Sequence, residues 1–216
     1  MNMRYLSALL AASLLAGGCC KSCKDEMTRY HEDGRAKPIV AVASMIDTTS
    51  FDVPWSLSEE LTSMVVRNVA QSGAIFVQAT DDFSPTENPF AQDLSWVKRE
   101  FSHQEFVVFM ELVQHEMAPA LKGKKSPVPP QELATNLNMA VRVRVVDLRG
   151  ASPKIVLQEM VRESYYIPRS LLPTDYNLTA WGTEEFRNTP MGIAHSQLVQ
   201  EISNRLSDYI LLAKSR

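Results

Sequence analysis

The 216-residue chain carries 22 Lys and Arg against 25 Asp and Glu, a formal net charge of −3. This balance supplies no global basic field, which excludes nucleic acid as an electrostatically steered partner. With 45% hydrophobic and 22% charged residues, the chain has the composition of a soluble globular domain, not of a disordered or polytopic membrane protein.

The chain opens with MNMRYLSALLAASLLAGG, where a single positive charge at Arg4 precedes an apolar segment from Tyr5 to Ala16 and then small residues. That order reads as a secretory signal peptide over residues 1–18. The apolar run is shorter than the roughly 18–20 residues that a membrane-spanning helix needs. Gly17 and Gly18 stand immediately before Cys19. The stretch resembles the lipobox of bacterial lipoproteins, in which small residues fit the signal peptidase and the cysteine sulfur takes a diacylglycerol. Ala16 stands where that box usually has leucine, with Leu14 and Leu15 one step further out. Cys20 fits the pattern less well, so Cys19 is the expected lipidation site and the first residue of the mature chain. The alternative is an ordinary cleaved secretory peptide. Acyl chains contribute about 0.8 kcal/mol per buried methylene, so two or three of them anchor a protein to the bilayer stably. Beyond this covalent lipid at Cys19, no cofactor is expected.

Residues 19–37 read as a lipidated, flexible and charged tether. Within it, Cys20 and Cys23 are spaced C-K-S-C. They lack the strand and helix that lower a thiol pKa in a redox motif, and they supply half the ligands of a metal site. A local or intermolecular disulfide in an oxidising compartment is the expected use.

A single domain is expected over residues 38–216. Ile39 to Met45 is an apolar run of a buried strand, followed by a polar turn at Asp47–Ser50. Ser56 with Glu59 three residues later makes a capping box, and Leu57, Leu61, Met64, Val65 and Val69 recur at helical spacing until Gly73. Ala74–Ala79 is a second short strand, so the first unit is strand, helix, strand. After a loop rich in Asp, Pro and Asn, DLSWVKREFSHQE predicts a short helix. Phe106–Val113 is the most apolar strand and is placed centrally. LKGKKSPVPPQ is a surface loop.

Leu137, Met139, Val141, Val143 and Val145 then alternate with polar or small residues, the period of a strand with one wet face. Asp147–Lys154 turns the chain into a partner strand, Ile155–Ile167, whose alternation blurs around Gln158–Met160 as at a bulge. A final helix follows, capped by Thr189 with Pro190, its buried stripe being Met191, Ala194, Leu198, Ile202, Leu206 and Tyr209 or Ile210. The expected fold class is α/β, a mixed sheet of about five strands with helices packed on it.

The sequence carries none of the common catalytic motifs, and no catalytic residue is assigned. There is no G-x-S-x-G and no H-E-x-x-H, and Gly123–Ser126 lacks the upstream glycine and the Ser or Thr of a phosphate loop. Glu111 and His115 would share a strand face if the third strand ran that far, but two ligands do not make a metal site. His103 and His195 fall in helical patterns and are expected in packing or at the surface. Asn177–Thr179 matches a glycosylation sequon that has little meaning in a bacterial lipoprotein. Arg142 and Arg144, with Arg162 on the neighbouring strand, form either a basic patch for an acidic partner or a solvated face balanced by Glu159 and Glu163. Tyr165, Tyr166 and Trp181 are candidates for a contact surface or for the core.

The order of elements, with Asp47-Thr48-Thr49 after the first strand, SGAIFVQ after the first helix and VRVVDLRG in the hairpin, resembles one known family. This is the domain family shared by the curli-secretion lipoprotein CsgG and the penicillin-binding-protein activator LpoB. Asp147 and Gly150 match that family's hairpin, whereas Ala151–Lys154 look inserted and the usual Trp does not follow. The resemblance implies a non-catalytic lipoprotein of the outer membrane that faces the periplasm and binds an envelope protein or itself, with regulation of peptidoglycan synthesis as one role. A subunit of an oligomeric secretion channel and an envelope hydrolase are the alternatives. Cys20 after Cys19, where an Asp would favour inner-membrane retention, agrees with the outer membrane.

Overall fold

A computed structural model describes residues 29–78, 85, 87–120, 134–171 and 174–216. The expected signal segment, Cys19, Cys20, Cys23, the loop of residues 121–131 and the Gly123–Ser126 lookalike lie outside the described residues. The chain divides into two units, Met1–Lys37 and Pro38–Arg216. The described part of the first is a tight turn in which Tyr30 bridges Ala36 and the Arg35 guanidinium lies 2.6 Å from the Asp33 carboxylate.

In the second unit the apolar run after Pro38 forms β1 (Ile39–Val42), and after a three-residue break β2 (Ile46–Asp47) resumes the line. Both run parallel to β4 (Phe106–Pro119), pairing at Val40↔Phe106 and Ile46↔Glu111. The break is held by the first helix, α1 (Leu57–Gln71), because the Met45 N–H donates to Thr62 Oγ1 at 2.9 Å and Ser58 Oγ donates to the Met45 carbonyl. The Asp47 carboxylate closes the turn that follows, accepting from Thr49 N–H and Oγ1 at 2.8 and 2.7 Å. Ser56 caps α1 by accepting from the Glu59 N–H at 3.2 Å, as its sequence predicts. After Gly73, whose φ of +68° permits the left-handed turn, β3 (Phe76–Gln78) returns parallel to β1.

The short helix α2 (Ser95–Glu100) leads into β4, and β4, β5 (Thr135–Asp147) and β6 (Lys154–Ile167) form an antiparallel meander. The strand order is β3-β1-β4-β5-β6, with β2 beside β4. The fold is therefore α/β with a six-stranded mixed sheet, β2 being the strand beyond the five expected. The extra residue in the hairpin is Val156, opposite Val145 and Val146, and not one of Gln158–Met160. The blurred alternation there reflects an edge strand whose side chains are only partly covered.

The irregular segment after β6 contains α3 (Glu184–Arg187), a single turn that the sequence pattern did not single out, capped by Thr183. The long helix α4 (Pro190–Lys214) closes the chain, capped by Thr189, which accepts from the Gly192 N–H at 3.0 Å. Helices α1 and α4 cover one face of the sheet, where Leu61, Val65, Leu198, Ile202 and Leu206 meet Val40, Met110, Leu112, Val141 and Val143. Ile210, not Tyr209, completes the buried stripe of α4. The opposite face is covered by Leu94, Trp96, Val97 and Phe101 against Val107, Phe109 and Val146. Each core buries several large side chains at about 1.5–3 kcal/mol apiece. No helix among the described residues is long and apolar enough to cross a membrane.

Candidate functional site: a buried carboxylate–histidine chain beneath an arginine-lined cleft

Three polar side chains lie in the helix-covered core, where sequence patterning alone would put hydrocarbon. Glu60 sits on α1 between Leu57 and Leu61 and is fully buried, as is His195 on α4 between Ala194 and Leu198. His115, on β4, is 4% exposed. Glu60 Oε1 lies 2.7 Å from His195 Nδ1, and His195 Nε2 lies 2.8 Å from His115 Nε2. The second oxygen of Glu60 accepts from the Trp55 indole N–H at 2.7 Å. With both rings neutral and the carboxylate accepting, His195 carries its proton on Nδ1 and accepts at Nε2 from His115. His115 Nδ1 is then a bare acceptor, and it is the one ring nitrogen of the pair left without a partner. Burial, and after it the neighbouring His195, push the His115 pKa from 6.5 down to about 3, so this ring stays neutral.

The position of His115 depends on an irregularity in β4. The strand extends beyond the expected Val113 to Pro119, and its pairing with β5 skips a residue between Leu112 and Gln114. An unbroken strand would put Glu111 and His115 on one face. The bulge separates them. His115 turns to the helices, whereas Glu111 forms an ion pair with Arg142 at 3.2 Å on the other side of the sheet. The two therefore do not form the metal pair their spacing suggested, and no group of three candidate ligands occurs among the described residues.

Above the buried chain, between α1 and α4, opens a cleft of about 440 Å³. Met64, Arg67, Asn68 and Gln71 line it from α1, with Trp181 and Arg187 across from them. Phe186 separates cleft from chain, with its ring centroid 6.1 Å from that of His195 and 5.2 Å from that of Trp55. Gly192 makes this packing feasible. A Cβ there would stand 2.1 Å from the Phe186 carbonyl oxygen, so only glycine lets α3 lie against the first turn of α4.

The expected contact residues are divided between the two faces of the sheet. Arg142, Arg144 and Tyr166 belong to the face away from α4, and Tyr165 and Trp181 pack against the helix-side core. Arg144 is 4% exposed, which removes it from any accessible patch. Its guanidinium donates to the carbonyls of Pro89, Phe90 and Ala91 at 2.7–3.0 Å and to Gln158 Oε1 at 2.6 Å. Desolvation, and then Arg142 nearby, lower its pKa. Tyr166 is 52% exposed, and Trp181 is the expected residue that reaches the cleft. Glu60, Arg67 and Arg187 escaped the sequence reading. For Glu60 a signal existed, a carboxylate on the apolar stripe of an amphipathic helix; the arginines have none in spacing.

A three-layered α/β domain with a helix-walled cleft over a sealed polar chain is the architecture defined so far. The chain belongs to a family of unknown function, DUF7499, whose model matches residues 26–214. No curated protein matches it significantly. Among solved structures it is similar to the hypothetical protein CT253 from Chlamydia trachomatis, with 25% identity and a TM-score of 0.63 over 81% of this chain and 98% of that one. Similarity to protein XCC0632 from Xanthomonas campestris is lower, with 9% identity and a TM-score of 0.48 over 83% and 88% of the two chains. The lipoprotein GNA1162 from Neisseria meningitidis gives 11% identity and a TM-score of 0.39 over 77% and 99%.

Proposed function

We propose that this protein is a lipid-anchored lipoprotein of the bacterial outer membrane, facing the periplasm, that acts by binding and not by catalysis. The observation that carries the binding role is the division of labour around His195. The carboxylate–histidine pair has the geometry that orients a general base, yet both ring nitrogens of His195 are committed, to Glu60 and to His115, with no surface exposed. The adjacent Ser196 in the cleft therefore has no base in His195. What the cleft presents instead are guanidinium, amide, hydroxyl and indole groups, which hold a ligand without moving protons.

Anchoring is supported by the sequence: a signal-peptide pattern ends at Gly17-Gly18-Cys19, and the tether follows. The resemblance of element order to the CsgG/LpoB domain family favours an adaptor for an envelope protein, with a peptidoglycan synthase as one such partner. Intact mass spectrometry of the protein from bacterial membranes tests the anchor. A triacyl increment on a chain beginning at Cys19, lost in Cys19→Ala, is the expected result, and a mature chain without lipid overturns it. Crosslinking in those membranes tests the adaptor role, which predicts capture of an envelope protein or a second copy in stoichiometric yield; capture of neither overturns it.

A further inference from the structure

The cleft collects two guanidinium groups that find no counter-charge among the described residues. Arg67 on α1 and Arg187 on α3 are exposed, and among the described residues neither has an ion-pair or hydrogen-bond partner. Several other surface arginines are neutralised by the fold, although Arg162, Arg169 and Arg216 also lack a carboxylate partner among the described residues. Arg142, Arg149 and Arg205 each lie 2.7–3.2 Å from a carboxylate. Among the described residues no Asp or Glu lines the cleft. Two like charges in one concavity repel each other and raise the local potential, a cost that an anion between them removes.

Three further features suit a ligand and not merely water. The volume of about 440 Å³ falls in the range of small-molecule sites. The half-buried indole of Trp181 offers an aromatic surface beside the arginines, suited to an apolar or ring-shaped body. Finally, the wall that carries Arg187 is fixed in place. Gly182 at φ +93° turns the chain after Trp181, Thr183 caps α3, and Gly192 lets α3 seat directly on α4.

We propose that this cleft binds a small anionic ligand whose carboxylate or phosphate is held by Arg67 and Arg187 and whose ring rests against Trp181. Guanidinium groups suit either oxyanion because their paired N–H donors match two oxygens at once. The inference rests on the reading of the protein as a binding protein and names the ligand class for its cleft.

The full-length protein in detergent is titrated with inorganic phosphate, with N-acetylmuramic acid and with N-acetylglucosamine, read by thermal midpoint and tryptophan fluorescence. N-acetylmuramic acid is N-acetylglucosamine with a carboxylate-bearing lactyl ether on O3, so the two sugars share a ring and differ in charge. At least one anion is expected to bind with Kd below about 1 mM, the neutral sugar about tenfold more weakly or not at all. Phosphate alone binding assigns a phosphate ligand; N-acetylmuramic acid binding more tightly assigns a carboxylated sugar. Arg67→Gln with Arg187→Gln should weaken the anion at least about tenfold while leaving the unliganded midpoint unchanged or slightly raised, since the mutual repulsion is relieved. Binding of neither anion, equal binding of the neutral sugar, or full affinity in the double variant overturns the proposal. Lipid attachment is read separately by mass, so a lipidated protein that binds no anion overturns this inference alone.

Discussion

Glu60 and His195 meet inside the helix-covered core, Oε1 to Nδ1 at 2.7 Å, with neither side chain exposed. The contact joins α1 to α4, and through His115 it continues to β4, so one polar chain pins three elements. Removing either partner leaves the other buried without its hydrogen bond, which costs about 1–3 kcal/mol for a neutral group and more for a charged one. Glu60→Ala and His195→Ala are expected to lose stability on that scale in urea unfolding. The double variant should lose much less than the sum, because the second deletion removes the stranded group. Additive losses would mean that the pair is not coupled.

His115 makes the same chain sensitive to acid. In the unfolded chain it titrates near 6.5, while in the fold burial and His195 hold it at about 3. As pH falls from 6.5 toward 3, the unfolded state takes up a proton that the folded state refuses, so stability drops. It does so by at most about 1.4 kcal/mol per pH unit from this one group. Above pH 6.5 the group contributes no pH dependence. His115→Gln keeps a donor for His195 and cannot ionise. Unfolding free energies of the two proteins, measured between pH 6.5 and 5, should therefore diverge, with the wild type falling more steeply. Parallel curves would show that His115 is free to protonate in the fold.

The patterns that depend on periodicity were legible in the sequence. The stripes of α1 and α4, their serine and threonine caps and the alternation of β5 follow from residue spacing, and the structure keeps them. What spacing does not encode is tertiary pairing. The bulge at Val113 arises from how β4 lies against β5, and it decides that His115 joins the helices while Glu111 joins Arg142. Arg144 lies on the polar side of a clean alternation, yet the Asn88–Ala91 segment folds over it, a placement set by a loop remote in sequence. Arg67 and Arg187 are 120 positions apart and become neighbours of one cleft only because Gly192 lets α3 rest on α4.

Gly192 is accordingly the most demanding position of the cleft. A methyl group there would stand 2.1 Å from the Phe186 oxygen and 2.9 Å from its carbonyl carbon, both backbone atoms that cannot rotate away. Gly192→Ala should cost about 1–3 kcal/mol by overpacking, even though alanine is the better helix former. The thermal midpoint should fall, and α3 with Arg187 should detach, so any anion affinity of the cleft is lost with it. An unchanged or raised midpoint would show that α3 is free to shift.

Arg144 gives the sharpest distinction between a binding residue and a structural one. It carries no carboxylate partner among the described residues and instead bonds three successive carbonyls, of Pro89, Phe90 and Ala91, together with Gln158. The Phe90 ring centroid lies 5.4 Å from its guanidinium carbon and 5.0 Å from that of Arg142. Arg144→Ala leaves these carbonyls without their donor at about 1–3 kcal/mol for a buried unsatisfied group. Arg144→Lys should not rescue the loss, since one ammonium cannot reproduce the planar fork that reaches all four acceptors. Limited proteolysis under native conditions should then cut within Asn88–Ala91 well before global unfolding. Wild-type resistance in Arg144→Ala would show that the segment over β5 is held without this guanidinium.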